Sequence, residues 1–307
     1  MADADASVAA VIVNYNAGAA LVDCVRSLRA EGVDTVVVVD NRSSDGSAAA
    51  AAAADAGVRV VDAGANLGYG AAANRGVAAL PEPPEPYVLV LNPDVVVEPG
   101  TVKALVAALE RDPQLAVVGP RVEDPGGALY PSARQFPDLL VAAGHAFLGY
   151  VAPNNRYSRA YKLLDWDHGT AGCVDWVSGA CLLARRDAYR AVGGFDEAYF
   201  MYVEDVDLCW RLGRAGWKVG YEPGGRVVHQ GGVSTDQRAY RMILEHHRSL
   251  WRFACRTTTG GRRAALPAVA FGLVARTGLA WGHRALDGWR GARRHPARAV
   301  AGADHAE

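Results

Sequence analysis

The densest run of ionisable side chains is Glu204-Asp205-Val-Asp207-Leu-Cys-Trp210-Arg211. Two adjacent carboxylates opening a helix can play either of two parts. They can sit as unreactive neighbours of the helix dipole. Alternatively, one of them, ionised and aimed into a cleft, can take a proton from a hydroxyl as a general base. Arg211 lies where a helix would let it pair with Asp207 or Glu204, withdrawing that acid from chemistry. A second group is Asn92-Pro93-Asp94, whose carboxylate can hold Mg2+ or Mn2+ while a diphosphate supplies further oxygens. The same tripeptide is also an ordinary turn. His229 stands alone in sequence, and a lone histidine is more often structural than a ligand.

Polar residues also follow the other apolar runs: Asn14-Tyr15-Asn16, Asp40-Asn41, then Asn66, Gly68 and Asn74. Gly68-Tyr-Gly70-Ala-Ala-Ala73 fits the loose G-x-G-x-x-A dinucleotide fingerprint. The acid expected about 20 residues later is missing, and Asp40 precedes the glycines, so an oxidoreductase is disfavoured. Small residues and free amides at a helix start still suit an approaching phosphate. No G-x-x-x-x-G-K-[ST] occurs, which argues against a P-loop nucleotidase.

The elements that must position these groups alternate. Val8–Val13, Thr35–Asp40, Val58–Asp62, Tyr87–Leu91 and Ala116–Val118 are near-continuous apolar runs, as in strands covered on both faces. Between them, Gly18–Ala30, Asp45–Ala54, Gly70–Leu80 and Pro99–Glu110 have helical character. Ser43, Ser44 and Asp45 are good caps for the second, which continues in seven alanines, and Pro99 suits a first turn. This order predicts an α/β, doubly wound, mostly parallel sheet flanked by helices, with ligands beyond the carboxyl ends of the strands. Residues 121–172 read as a long, partly helical excursion beside a site. Trp176–Ala184 then reads as a strand and Val203–Ala215 as a helix. Lys218–Glu222 and Arg226–His229 follow as two short strands, and a helical, basic segment runs from Asp236. The predicted division is 1–235, with a nucleotide half at about 1–120 and an acceptor half at about 121–235, and a tail at 236–307.

With 50% apolar and 21% charged residues the chain has enough apolar area to fold, which excludes wholesale disorder. A formal net charge of -1 provides no global field for nucleic acid. Five cysteines without C-x-x-C spacing read as reduced, buried thiols of a cytoplasmic protein. The start, MADADASVAA, lacks the features of a signal peptide. The longest late apolar stretch, Ala264 to Ala275, contains Pro267 and stops at Arg276, so no membrane span is expected.

Val11–Asn16, Val37–Ser47, Asn66–Gly76, Leu91–Val95 and Trp176–Trp217, taken together and in this order, resemble the inverting glycosyltransferases of family 2, with the GT-A fold. Within that family they are similar to actinobacterial rhamnosyltransferases using dTDP-L-rhamnose as donor and a lipid-diphosphate-linked N-acetylglucosamine as acceptor. The resemblance implies Asp205 as catalytic base. It implies donor contacts from Asn14, Asp40, Asn66, Gly68, Asn74, Asn92 and Asp94, with Asp40 on the pyrimidine. Asn92-Pro93-Asp94 takes the place of a D-x-D motif, so Mg2+ or Mn2+ is implied at Asp94, with His229 as second ligand. The Asn at the first position leaves one charge fewer there. Trp176 and Glu204 are implied acceptor contacts. Galactofuranosyl, mannosyl and polysaccharide rhamnosyl transfer stand as alternatives in the same family, and a non-catalytic nucleotide-sugar binding or scaffold protein on the same fold.

From Arg252 to Arg298 there are ten Arg, no Lys and one acid, Asp287. Interleaved with Trp251, Phe253, Leu266, Phe271, Leu273 and Trp281, they suit an amphipathic segment lying on an anionic membrane surface at its cytoplasmic face. The competing reading is a helical subdomain packed on the core or mediating homodimerisation.

Overall fold

The computed structural model describes residues 7–82, 85–136, 139–148, 152–231 and 239–294. The β-branched runs and the segments between them become β1 (Val8–Asn14), α1 (Ala20–Ala30), β2 (Thr35–Asp40), α2 (Ser47–Ala54), β3 (Val58–Asp62), α3 (Tyr69–Ala78) and β4 (Tyr87–Leu91). All residues of β1 and β4 are buried. Leu21, Cys24 and Leu28 of α1 join Ala10 and Ile12 in one core, while α3 packs so closely on the other face that a Cβ at Gly76 would lie 2.3 Å from Val11. Strands covered on both faces carry no polar alternation, which is why these runs are continuous.

The chain continues with β5 (Val95–Val97), α4 (Thr101–Arg111), β6 (Leu115–Glu123), β7 (Leu129–Tyr130), β8 (Ala133–Arg134), α5 (Leu139–Leu148), α6 (Arg156–Tyr161), β9 (Gly172–Val174), β10 (Trp176–Val177), β11 (Cys181–Arg185), α7 (Arg186–Ala191), α8 (Glu204–Arg214) and β12 (Lys218–His229). The main sheet runs β3-β2-β1-β4-β11-β6-β12-β5, with β7 beside β6 and β9 beside β12. The run β3-β2-β1-β4 is parallel, as is β6 with β12. β11 inserts antiparallel between β4 and β6, and β5 closes the far edge antiparallel to β12. The order reverses at β1, so the carboxyl ends of β1, β2 and β4 face one crevice.

Two expectations are corrected. Trp176–Ala184 is not one strand: β10 leaves the main sheet to pair with β8, and β11 begins only at Cys181. Between them the amide of Gly179 is drawn off by a side chain, that of Asp205. Lys218–Glu222 and Arg226–His229 are not separate strands either. They form one strand with a register shift between Glu222 and Arg226, around Pro223, whose nitrogen cannot enter the ladder. All five thiols are free; Cys24, Cys181 and Cys209 are buried, whereas Cys173 is exposed, contrary to expectation, because it sits on the short strand β9.

The chain separates into two compact units, Met1–Gln237 and Arg238–Glu307. The expected boundary at 235/236 lies outside the described residues. In the second unit α9 (Ala239–Thr257) leads through a 3-10 turn into α10 (Leu266–Arg294), with Pro267 in its first turn, where a proline is tolerated. Buried His247 joins the two helices through Thr277 at 2.9 Å and Arg276 at 3.2 Å. Burial, with Arg276 beside it, pushes its pKa down to about 4, so the imidazole is neutral at pH 7. The expectation that no stretch is long enough for a span is overturned. Gly260–Gly282 meets the length and composition for crossing a membrane, with mean hydropathy 1.4 and none of it buried. Arg276 ends the apolar run in sequence, but one arginine does not end an apolar helix.

Candidate active site

The crevice is built from strand ends. Asn14, at the end of β1, is fully buried, and its side-chain nitrogen donates to Asp40 at 3.1 Å, Ser43 at 3.1 Å and Ser47 at 2.9 Å. It therefore holds the β2 end from beneath, while half-buried Asp40 faces the crevice and also accepts the Ser43 amide at 3.3 Å. Asn41 braces the next loop: its oxygen accepts the Leu67 amide, and its nitrogen reaches Asn66 Oδ1 at 3.1 Å and the Gly68 carbonyl at 3.2 Å.

The glycine loop differs from expectation. The Gly68 amide donates to Asn66 Oδ1 and the Tyr69 amide to the Phe200 carbonyl, so neither is free for a phosphate. Gly68 has φ +87°, and a Cβ there would lie 2.1 Å from the Phe200 oxygen. Glycine is required because the chain at 200 crosses directly above. Asn74 is likewise taken up internally. Its oxygen accepts Tyr189 Oη at 2.6 Å and the Phe195 amide at 3.0 Å, and its nitrogen donates to the Phe195 carbonyl and Glu197. It positions the 193–197 turn and has no free amide valence for a ligand.

That turn leads into the acidic helix. Tyr202 and Val203 have φ of +65° and +68°, a costly conformation for a β-branched residue and one that clusters at functional sites. The reversal sets Glu204 and Asp205 at the start of α8. Asp205 Oδ2 accepts the Gly179 amide at 2.8 Å and Oδ1 the Val206 amide at 2.8 Å. Burial pushes the Asp205 carboxyl upward, against which these amides and the Arg134 charge hold it down. Glu204 is raised further: burial leads, the Asp205 charge adds to it, and Glu204 Oε2 has no hydrogen-bond partner. Of the pair, Asp205 is the one whose ionised form the surrounding amides and Arg134 favour. Arg211 pairs with Asp207 at 2.6 Å, not with Glu204, which resolves the two helix-face readings.

At the other end of the crevice, His229 Nε2 lies 3.2 Å from Asp94 Oδ1 and 3.2 Å from the Asn92 amide nitrogen. A hydrogen on that nitrogen suits Asp94 but opposes Asn92, and a lone pair does the reverse. A divalent cation between carboxylate and imidazole would take up the Asp94 oxygen and the Nε2 lone pair in place of the Asn92 contact, and an O,N donor pair with open positions suits Mn2+ or Mg2+. Among the described residues no cluster of three such ligands occurs, so a bound diphosphate would complete the shell.

Trp176 does not offer the expected open face. It is 5% exposed, its indole nitrogen donates to the Gln135 carbonyl, and Arg134 stacks 5.0 Å from its ring. Glu204, also 5% exposed, lies beneath the surface. Sequence reasoning missed Arg134 and Tyr69, whose hydroxyl donates to the Gly179 carbonyl, and noted Asn41 as a polar strand-end residue without its bracing role. Each acts across a long sequence separation that no local pattern announces.

Residues 9–192 match the profile described as "Glycosyl transferase family 2". The chain is 42% identical over 248 residues to the N-acetylglucosaminyl-diphospho-decaprenol L-rhamnosyltransferase of Mycobacterium tuberculosis, covering 78% of this chain and 80% of that protein. It is 28% identical over 200 residues to the rhamnosyltransferase WbbL of Escherichia coli, covering 63% and 72% respectively. A solved mannosyltransferase from Pyrobaculum calidifontis, in complex with GDP-Man and Mn2+, shares the fold. Its TM-score is 0.55 at 15% identity, over 95% of this chain and 82% of that one.

Proposed function

The chain belongs to glycosyl transferase family 2, and on that premise we propose that it transfers L-rhamnose, with inversion, from dTDP-L-rhamnose to the N-acetylglucosamine of a polyprenyl-diphosphate lipid. The observation that carries the chemistry is Asp205, a half-buried carboxylate held by two backbone amides at a strained helix start. The donor and acceptor are supported by the 42% identity to the mycobacterial enzyme.

Asp205 accepts the proton of the acceptor hydroxyl as that oxygen bonds to the anomeric carbon. The bond from that carbon to the diphosphate oxygen breaks on the opposite face, and its electron pair leaves with the nucleoside diphosphate. One displacement inverts the centre. Asp40 accepts from the pyrimidine and is held by Asn14. Asn66 and Gly68 shape the loop beside the nucleotide, and Asn74 fixes the turn that carries α8. Asp94 and His229 would hold the divalent cation, with Asn92 beside them, and the cation when bound would neutralise the charge developing on the leaving diphosphate. Glu204, whose carboxyl burial pushes upward, lines the floor beneath the acceptor hydroxyl.

We assign the reaction to the cytoplasmic membrane face. The support is a lipid-linked acceptor together with α10, whose Phe271 and Val274 are 76% and 72% exposed amid arginines. The test is transfer to a short-chain prenyl-diphospho-N-acetylglucosamine from a panel of nucleotide sugars, with Mg2+ and with EDTA. Metal-dependent product from dTDP-L-rhamnose is expected. Product solely from UDP-galactofuranose or GDP-mannose would replace the donor, and no product or binding with any would remove the proposed reaction.

A further inference from the structure

Arg134 belongs to the excursion that no motif covers. β8 places it directly across from Trp176 on β10, two residues before the Ser178–Ala180 turn whose middle amide holds Asp205. Its guanidinium is fixed by Nε to the Pro131 carbonyl at 2.8 Å and Nη2 to Tyr130 Oη at 3.0 Å. It lies 5.0 Å from the Trp176 ring centre, 5.4 Å from Tyr161 and 5.5 Å from Tyr130. Among the described residues it makes no ion pair with a carboxylate. Burial works against its charge, yet the two tyrosines and Asp205 keep that charge on. Lys162 follows Tyr161, whose carbonyl accepts the Gln135 amide at 3.4 Å, so a second cation stands beside the strand that carries Arg134; burial and the Arg134 charge depress it. Asp205 acts on this charge at a distance and not as a direct ion pair, so a guanidinium held rigid by aromatic rings leaves an anion's place beside the base. A planar guanidinium with free N–H groups suits phosphate oxygens.

We propose that Arg134 and Lys162 form an anion subsite next to Asp205 that receives the diphosphate of the lipid-linked acceptor. This rests on the acceptor class proposed above. The donor's own diphosphate is assigned to the Asp94 and His229 end of the crevice. Seating the acceptor by its diphosphate would bring the attached sugar's hydroxyl to Asp205 whatever the length of the prenyl chain.

The subsite is tested without turnover. Farnesyl diphosphate, which carries a lipid diphosphate and no sugar, is titrated calorimetrically into the full-length protein with saturating dTDP. Arg134→Gln is expected to weaken binding about 10- to 100-fold. Lys162→Gln, at a half-exposed position, is expected to weaken it about 3- to 10-fold, and Arg134→Lys to fall between wild type and Arg134→Gln. The affinity for dTDP alone should stay unchanged in all three. The proposal is overturned if wild type does not bind farnesyl diphosphate, or if both glutamine variants bind it like wild type. A loss of dTDP affinity in place of farnesyl diphosphate affinity also overturns it, by assigning the cations to the donor. Should Arg134→Gln fail to fold, Lys162→Gln and Arg134→Lys decide. Intact farnesyl diphosphate binding with no sugar transfer from any donor would refute the proposed reaction and leave the subsite standing.

Discussion

Replacing Gly68 by alanine asks whether this glycine serves the phosphate or the fold. The new Cβ would lie 2.1 Å from the Phe200 carbonyl oxygen, where an ordinary C···O contact needs about 3.3 Å. The chain at 200 must therefore retreat by about 1.2 Å. That breaks the 3.0 Å bond from the Tyr69 amide and leaves a buried donor unmet, at about 1–3 kcal/mol. Holding an alanine at φ +87° and ψ 174°, a region essentially restricted to glycine, adds about 1–3 kcal/mol. A loss near 3 kcal/mol lowers Tm by about 6–12 °C for a unit of this size. Gly64→Ala is the control: φ is +72°, but nothing lies within 4 Å of its Cβ, so it bears only the backbone cost, about 1–2 kcal/mol. Scanning calorimetry of both variants, with kcat/KM measured alongside, separates the contributions. Because Phe200 leads into the turn before Glu204 and Asp205, Gly68→Ala should also lose more activity than the control. Equal Tm losses and equal activities would refute the packing role assigned to Gly68.

Other predictions concern single side chains. Glu204 has a folded-state pKa above its unfolded value, so the folded state binds the extra proton and wild-type stability falls as pH rises through that interval. Glu204→Gln should therefore melt higher than wild type at pH 8, with the advantage gone at pH 4, as thermal melts at constant ionic strength would show. Asp207 is fully buried against Arg211, and Asp207→Ala strands that cation at a cost of about 3 kcal/mol or more in denaturant unfolding. A companion Arg211→Met change should recover part of the loss. His229→Ala removes one of two proposed cation donors, so the Mn2+ concentration for half-maximal transfer should rise at least about ten-fold, read from a metal titration after EDTA treatment.

How far the sequence discloses this protein depends on how local each feature is. β1 through β4 and the helices between them follow from runs of valine and alanine, because burial on both faces leaves a continuous apolar signature. The site acids are legible for a similar reason: each stands immediately after a strand or opens a helix. Gly68 is visible as a glycine, but its reason is not, since Phe200 reaches it from 132 positions later in the chain. Trp176 looks like a sugar platform until Arg134 is found on its face, a pairing made by a two-residue ladder with no sequence pattern. β5, only three residues long, carries too little periodicity to be seen. The span-length helix was missed because Arg276 interrupts the apolar run, while the helix itself continues through it.

The central claim is that Asp205 is the base of a family 2 sugar transfer, and single-turnover transfer by Asp205→Asn, with donor binding measured on the same preparation, tests it most directly. The amide keeps the shape and one of the two acceptor oxygens, enough for the Gly179 amide, but cannot take the proton. Retained dTDP-L-rhamnose affinity with a rate reduced about 100- to 10,000-fold is the predicted result. A rate near that of wild type, or a loss of transfer explained by loss of donor binding, would contradict it.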